Sequence, residues 1–240
     1  GVLKEISAHT SEEYFSKYNN RMRVWQEPHP QYEYLISCDT SLGRDRDYSA
    51  FHVINMYNGQ QVAEFYSNRT PINDFAKILF NEGMLYNVAH IICERNTIGN
   101  NLIDWLYNIY EYENLWADDK DEIGFQVTAK NRESILAELE EAIRTDLIKI
   151  NSTRTCDELM TFIINDNGRV EAEKNHHDDL VMSLALAVHA YKNLLDTTHI
   201  EFVSKLEKEH KPLAPSQNWK HSFKTAYGGM SEEDFKWLMK

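Results

Sequence analysis

The run Leu180–Leu195, LVMSLALAVHAYKNLL, constrains this chain more than any other segment. It has helical length, and it is apolar on almost every side instead of along one stripe. Such a helix is stable only where other elements cover it, most simply against a sheet. Its start is polar. Asn175-His176-His177-Asp178-Asp179 offers an N-cap in Asn175 and acids for the first turn, where the helix dipole favours negative charge.

The sheet is written upstream. Tyr32–Asp39 (YEYLISCD) is an apolar stretch that stops in an acid and then in the turn-rich TSLGRDRDYS. SAFHVINMY and QQVAEFYS follow, joined by Asn58-Gly59, the strongest short-range hairpin signal. The period then changes. Thr70-Pro71 offers an N-cap and an N1 proline, and Ile72, Phe75, Leu79 and Phe80 come at helical spacing. Val88–Cys93 is a short β-like run ending in Glu94, and a helix from about Gly99 puts Ile98, Leu102, Leu106 and Ile109 on one face. Residues 111–122 hold six acids against one lysine and read as a solvated loop. Gly124–Thr128 is predicted as a fifth strand and Asn131–Thr145 as an amphipathic helix. Residues 147–174 are ambiguous: a short strand, a helix near Asp157–Ile163, and a hairpin at Asp166-Asn167-Gly168. The order predicts an α/β fold around a mixed sheet, its first three strands antiparallel and its later ones parallel, with helices on both faces.

Length and composition set the organisation. The 240 residues are 42% apolar and 26% charged, which excludes global disorder and suits one α/β unit of roughly 150–200 residues with appended segments. Residues 32–195 carry the periodic pattern and are expected to be that domain. Residues 1–31 read as a linker arm, with a short helix near Ser11–Tyr18 and a breaker at Pro28 and Pro30. Residues 196–240 read as a C-terminal extension, with a capping box at Ser231–Asp234 opening a terminal helix. A net charge of −13 argues against a simple basic nucleic-acid coat and a polybasic membrane binder. Cys38, Cys93 and Cys156 are too few and too scattered for a disulfide framework or a cysteine zinc site. With no apolar run near ~18 residues, the expectation is a soluble intracellular protein.

The chemistry rests on acids. Asp39 and Glu94 each end an apolar strand, and open α/β sheets place sites outside strand carboxyl ends. If those two strands are parallel neighbours, their ends lie about 5 Å apart. Two carboxylates so close resist ionisation unless a cation lies between them, and an all-oxygen cluster suits Mg²⁺ or Mn²⁺ more than zinc. Asp178 or Asp179 would add the third carboxylate, and two ions about 4 Å apart in such a set serve phosphodiester hydrolysis. Taken singly, each acid has a plainer reading as a turn residue or a first-turn charge. His176 and His177 point ~100° apart on a helix and lack a third soft ligand. Packing, phosphate contact or support of a neighbouring acid suits them better.

Four segments together resemble a known family: CDTSLGRDRDYSAFHVI, IICERNTIGNNLIDWL, TAKNRESILAELEEAI and NHHDDLVMSLALAVHAY. They are similar to the nuclease domain of the large terminase subunit, the DNA-packaging motor of tailed bacteriophages, over roughly residues 32–195. The resemblance implies an RNase H-like fold and a metal-dependent endonuclease that cuts concatemeric double-stranded viral DNA by two-metal-ion hydrolysis. It places the catalytic and metal-binding acids on Asp39, Glu94 and the pair Asp178 and Asp179, with Asp47 and His177 in support. Lys130 would steady the scissile phosphate. Arg44, Arg46, Arg95, Lys130 and Arg132 are expected to rim the site and contact DNA. The ATPase domain of the motor, the portal and the small terminase subunit are the implied partners, in the host cell cytoplasm and with no membrane. No glycine is followed by lysine, so a Walker A loop is absent and ATP hydrolysis is not expected. Two rivals stay open: another RNase H-like nuclease of the RuvC junction-resolving type, and a non-catalytic module that docks the motor on the portal.

Overall fold

The computed structural model describes residues 10–43, 47–118, 120–164, 170–173 and 176–195. Its centre is a six-stranded mixed sheet built from β1 (Phe15–Lys17), β2 (Met22–Val24), β3 (Tyr34–Asp39), β4 (Ser49–Asn55), β5 (Gln60–Ser67) and β6 (His90–Cys93), in the order β1-β2-β5-β4-β3-β6. Asn58-Gly59 turns β4 into β5, and all neighbours are antiparallel except β3 and β6, which are parallel. The helices are α1 (Ile72–Leu85), α2 (Thr97–Asp104), α3 (Ala129–Arg144), α4 (Thr153–Met160) and α5 (Asp179–Leu194). A second, two-stranded sheet pairs β7 (Phe162–Ile164) with β8 (Val170–Ala172).

Alternation along β3 sorts two cores. Ile36 and Cys38 join Phe51, Phe65 and α1 residues Phe75 and Leu79 on one face. Leu35 joins Ile54, Ile92 and the helices α3 and α5 on the other. The all-round apolar character of α5 has its cause here. The sheet covers one side and α3 and α4 cover others, so Leu184, Ala185, Leu186, Ala187 and Val188 are all buried.

Several local expectations need correction. The helix predicted at Ser11–Tyr18 is β1, and within the segment read as a linker arm β1 and β2 extend the sheet. Left-handed Tyr18, Asn19 and Asn20 (φ 52°, 56° and 64°) make their turn, and Met22 and Val24 are buried against the sheet. The fifth strand shrinks to a parallel bridge between Glu94 and Phe125, with Leu115 bridging Ile91 nearby. The helix around Gly99 passes into a π-helical turn, Trp105–Ile109, which shifts the phase and leaves Ile109 58% exposed. The helix expected near Asp157–Ile163 begins earlier and ends at Met160, and Phe162 opens a strand. The N-cap of α5 is Asp178, while Asn175 lies outside the described residues. So do the hairpin tip Asp166-Asn167-Gly168 and the C-terminal extension with Ser231–Asp234.

Candidate active site

Register brings the two strand-end acids together. In the parallel pair Leu35 faces His90 and Cys38 faces Cys93, so Asp39 and Glu94 come next on adjacent strands. Leu35, Ser37 and Asp39 share one face of β3 by the two-residue period, as Ile92 and Glu94 do beyond β6. That is the face covered by α5. Glu94 is held on both sides. Its N–H donates to Cys38 C=O at 3.1 Å, and Phe125 bonds the residues before and after it.

The third acid arrives from α5. Ser183 donates its hydroxyl to the Ser37 carbonyl at 2.8 Å. Asp179 lies one turn before Ser183 on the same side of the helix, and Asp39 lies two residues beyond Ser37 on the strand. One contact therefore sets Asp179 opposite Asp39. Asp179 is nearly buried, and it accepts a hydrogen bond from the backbone of Tyr48.

The electrostatics follow from this crowding. Burial first, then the Glu94 carboxyl within hydrogen-bonding reach, then Asp179, hold the Asp39 proton well above the usual carboxylate range. The Thr40 N–H, 2.7 Å from Oδ1, opposes them. Burial, with help from Asp178 and Asp47, pushes Asp179 up to about 7. Among the described residues no lysine or arginine pairs with Asp39, Glu94 or Asp179. Nor do any three His, Cys, Asp or Glu side chains enclose an ion as they stand. Three oxygen donors without a protein cation are still the right chemistry for a hard divalent ion.

The remaining expected residues divide. Asp178 stands at the N-cap of α5 but makes no capping bond, and its Oδ2 accepts from Arg132 Nη2 at 2.6 Å. Arg132 is thereby engaged, its Nη1 also lying 2.7 Å from Met182 Sδ. Arg95 turns to Asp118 and Glu122, at 3.3 and 2.6 Å. Lys130 is exposed in the first turn of α3. Asp47 adds its charge to Asp179 from the loop before β4. His177 sets Nδ1 3.6 Å from Asp179 and rests edge-on against Tyr48, which stacks on Tyr66 at 4.0 Å. Arg44 and Arg46 lie outside the described residues.

Sequence reading passed over Glu158 of α4. Its Oε1 accepts from Val181 N–H at 2.9 Å, and burial pushes its carboxyl up to about 8. Thr155, Cys156, Glu158 and Leu159 form the buried stripe of α4, so the acid occupies a core-facing position.

No protein-family model matches the chain. Solved structures do. The large terminase nuclease of thermophilic phage G20c with bound magnesium is similar at a TM-score of 0.65 and 20% identity, over 79% of this chain and 96% of that one. The same nuclease with bound cobalt gives 0.64 at 20% identity, over 79% and 96%. The large terminase nuclease domain of Thermus phage P74-26 gives 0.62 at 20% identity, over 78% and 93%. The sheet and its covering helices thus share the fold of the large terminase nuclease domains.

Proposed function

We propose that the chain is a divalent-metal-dependent endonuclease that cuts double-stranded DNA during viral genome packaging. The observation that carries this reading is the approach of Asp39, Glu94 and Asp179 on one face of the sheet, with no protein cation among the described residues to neutralise them. The bound magnesium of the similar G20c nuclease supports the choice of ion. Asp39, Glu94 and Asp179 would hold Mg²⁺ or Mn²⁺, two ions in all. Bound there, such ions supply activation of water and neutralisation of charge on the phosphate and the leaving oxygen.

The chain's own residues supply the rest. Asp178 is an anchor and not a ligand, because its carboxylate is committed to Arg132 and ties α5 to α3. Lys130, exposed in the first turn of α3, would meet a phosphate at the rim and stabilise transition-state charge. His177 steadies the carboxylate of Asp179. Double-stranded DNA is the substrate, and the motor's ATPase domain, the portal and the small terminase subunit are the partners.

Plasmid nicking with Mg²⁺ or Mn²⁺ tests the reading. Wild-type protein is expected to nick, Asp39→Ala and Asp179→Asn to be inactive, and Asp178→Asn to retain activity. Equal nicking by wild type and Asp39→Ala would make the activity a contaminant and overturn the proposal. An inactive Asp178→Asn beside an active Asp179→Asn would reverse the two roles.

A further inference from the structure

The first amides of a helix lack intrahelical acceptors and are usually served by the N-cap side chain. In α5 the first helical bond runs from Met182 N–H to Asp178 C=O at 2.8 Å, so the amides of Leu180 and Val181 need acceptors elsewhere. Asp178 does not serve them, because Arg132 holds its carboxylate. Glu158, brought in by α4, does. Its carboxylate accepts from Val181 N–H at 2.9 Å and from Leu180 N–H as well. Glu158 is buried and has no ion pair among the described residues, and such a carboxylate is costly unless hydrogen-bonded. The amides that open α5, with the positive end of its dipole, are its compensation.

The same turn is gripped at its carbonyl side. His52 of β4 lies with Nε2 2.9 Å from Leu180 C=O and Nδ1 2.7 Å from Gln61 Nε2. A carbonyl can only accept, so Nε2 carries the proton and Nδ1 accepts from the amide. The helix bearing Glu158 is fixed in turn, since Thr155 donates its hydroxyl to Glu64 of β5 and Arg154 pairs with the same carboxylate.

We propose that Glu158 is a positioning residue for Asp179: as a cap borrowed from α4, it fixes the first turn of α5 so that the Asp179 carboxylate faces Asp39 and Glu94. The functional consequence rests on the nuclease reading above. Asp179 follows Asp178 and precedes Leu180 in the chain, so loss of the cap frees the segment that aims it.

The test compares wild-type, Glu158→Ala and Glu158→Gln forms of the 240-residue chain. Amide hydrogen exchange at Leu180 and Val181 is read without metal, and Mn²⁺ affinity by calorimetric titration. Glu158→Ala is expected to speed exchange at those two amides and to weaken Mn²⁺ binding about 10–100-fold. Glu158→Gln keeps an acceptor oxygen and is expected to restore both. Unchanged Mn²⁺ affinity in Glu158→Ala overturns the assignment, and so does a Gln variant as impaired as Ala. Should the Ala variant not fold, Glu158→Leu, which fills much of the same volume without an acceptor oxygen, takes its place in both measurements. Wild-type protein that binds Mn²⁺ no better than Asp39→Ala overturns the nuclease reading and this inference with it. Tight wild-type binding that ignores Glu158 overturns this inference alone.

Discussion

Replacing Arg154 by Met should expose how the scaffold beneath the site holds a buried charge. Glu64 is fully buried in β5 and faces His52 across the β4–β5 ladder. Burial alone drives its proton affinity up. Arg154, then His52, Ser152 and Thr155 more than offset this, so the carboxyl sits below its ordinary range. Arg154 Nε donates to Oε1 at 2.8 Å, and Nη2 lies 2.6 Å from the same oxygen without the angle of a hydrogen bond. Methionine keeps a flexible apolar stem near Tyr66, whose ring the guanidinium covers at 5.5 Å, and removes the charge. Breaking a buried pair from one side costs about 3–5 kcal/mol. The orphaned carboxyl can instead take up a proton, at about 1.4 kcal/mol per pH unit above ~4.3, which caps the loss near 4 kcal/mol at pH 7. That corresponds to a Tm drop on the order of 10 °C for a domain of this size. In wild type the depressed Glu64 contributes stability that is complete above the unfolded value and is lost only as pH falls through the folded one. Between pH 5 and 7 its contribution is therefore flat. In the variant the folded carboxyl is raised, so its cost grows with pH and falls to about 1 kcal/mol at pH 5. Thermal melts of both proteins at the two pH values should show a gap that is wide at pH 7 and narrow at pH 5. A gap of equal size, or one wider at pH 5, would mean that Arg154 acts through packing and not through charge.

Gly99→Ala should disable the site from outside it. An added Cβ would lie 1.8 Å from the Glu94 carbonyl oxygen, and misplacement on an ångström scale can cost about 100-fold in plasmid-nicking rate. Lys130→Ala is expected to leave the unfolding free energy within about 0.5 kcal/mol of wild type while nicking falls about 100-fold or more. Arg95→Ala should barely change DNA affinity in a salt titration, because Asp118 and Glu122 already hold its guanidinium. In EDTA, Asp179→Asn should raise Tm at pH 7 more than at pH 5. The raised Asp179 carboxyl loses stability as pH climbs from the ordinary aspartate range to about 7, and asparagine does not titrate.

The strand-end acids were legible because each closes a short, nearly continuous apolar run that reads as a buried strand, Tyr34–Asp39 and His90–Cys93. Asp39 and Glu94 had to meet once β3 and β6 proved to be parallel neighbours. The choice between Asp178 and Asp179 was not legible, since on the nuclease reading it turns on Arg132, a residue 46 positions away that pairs with Asp178. β1 and β2 left no periodic trace, because three residues in each are too few to show one. The π-helical turn at Trp105–Ile109 breaks the helical period that placed Ile109 on the buried face. Glu158 lies in the polar stretch TRTCDELM, and its burial is decided by a helix that begins about twenty residues later.

The basic residues expected around the site bear on how an acidic chain meets DNA. Arg95 and Arg132 spend their charge on Asp118, Glu122 and Asp178, which leaves Lys130 as the unpaired one among the described members of that set. A phosphate approaching Asp39, Glu94 and Asp179 meets like charge until divalent ions reverse the local sign. On the nuclease reading, ion binding and DNA binding are therefore linked. Each raises the affinity for the other by the same factor, because both act through the one carboxylate cluster. The braces around α5 then have a physical purpose: they hold Asp179 beside the Asp39 and Glu94 carboxyls while no ion is present, so that binding an ion needs little rearrangement.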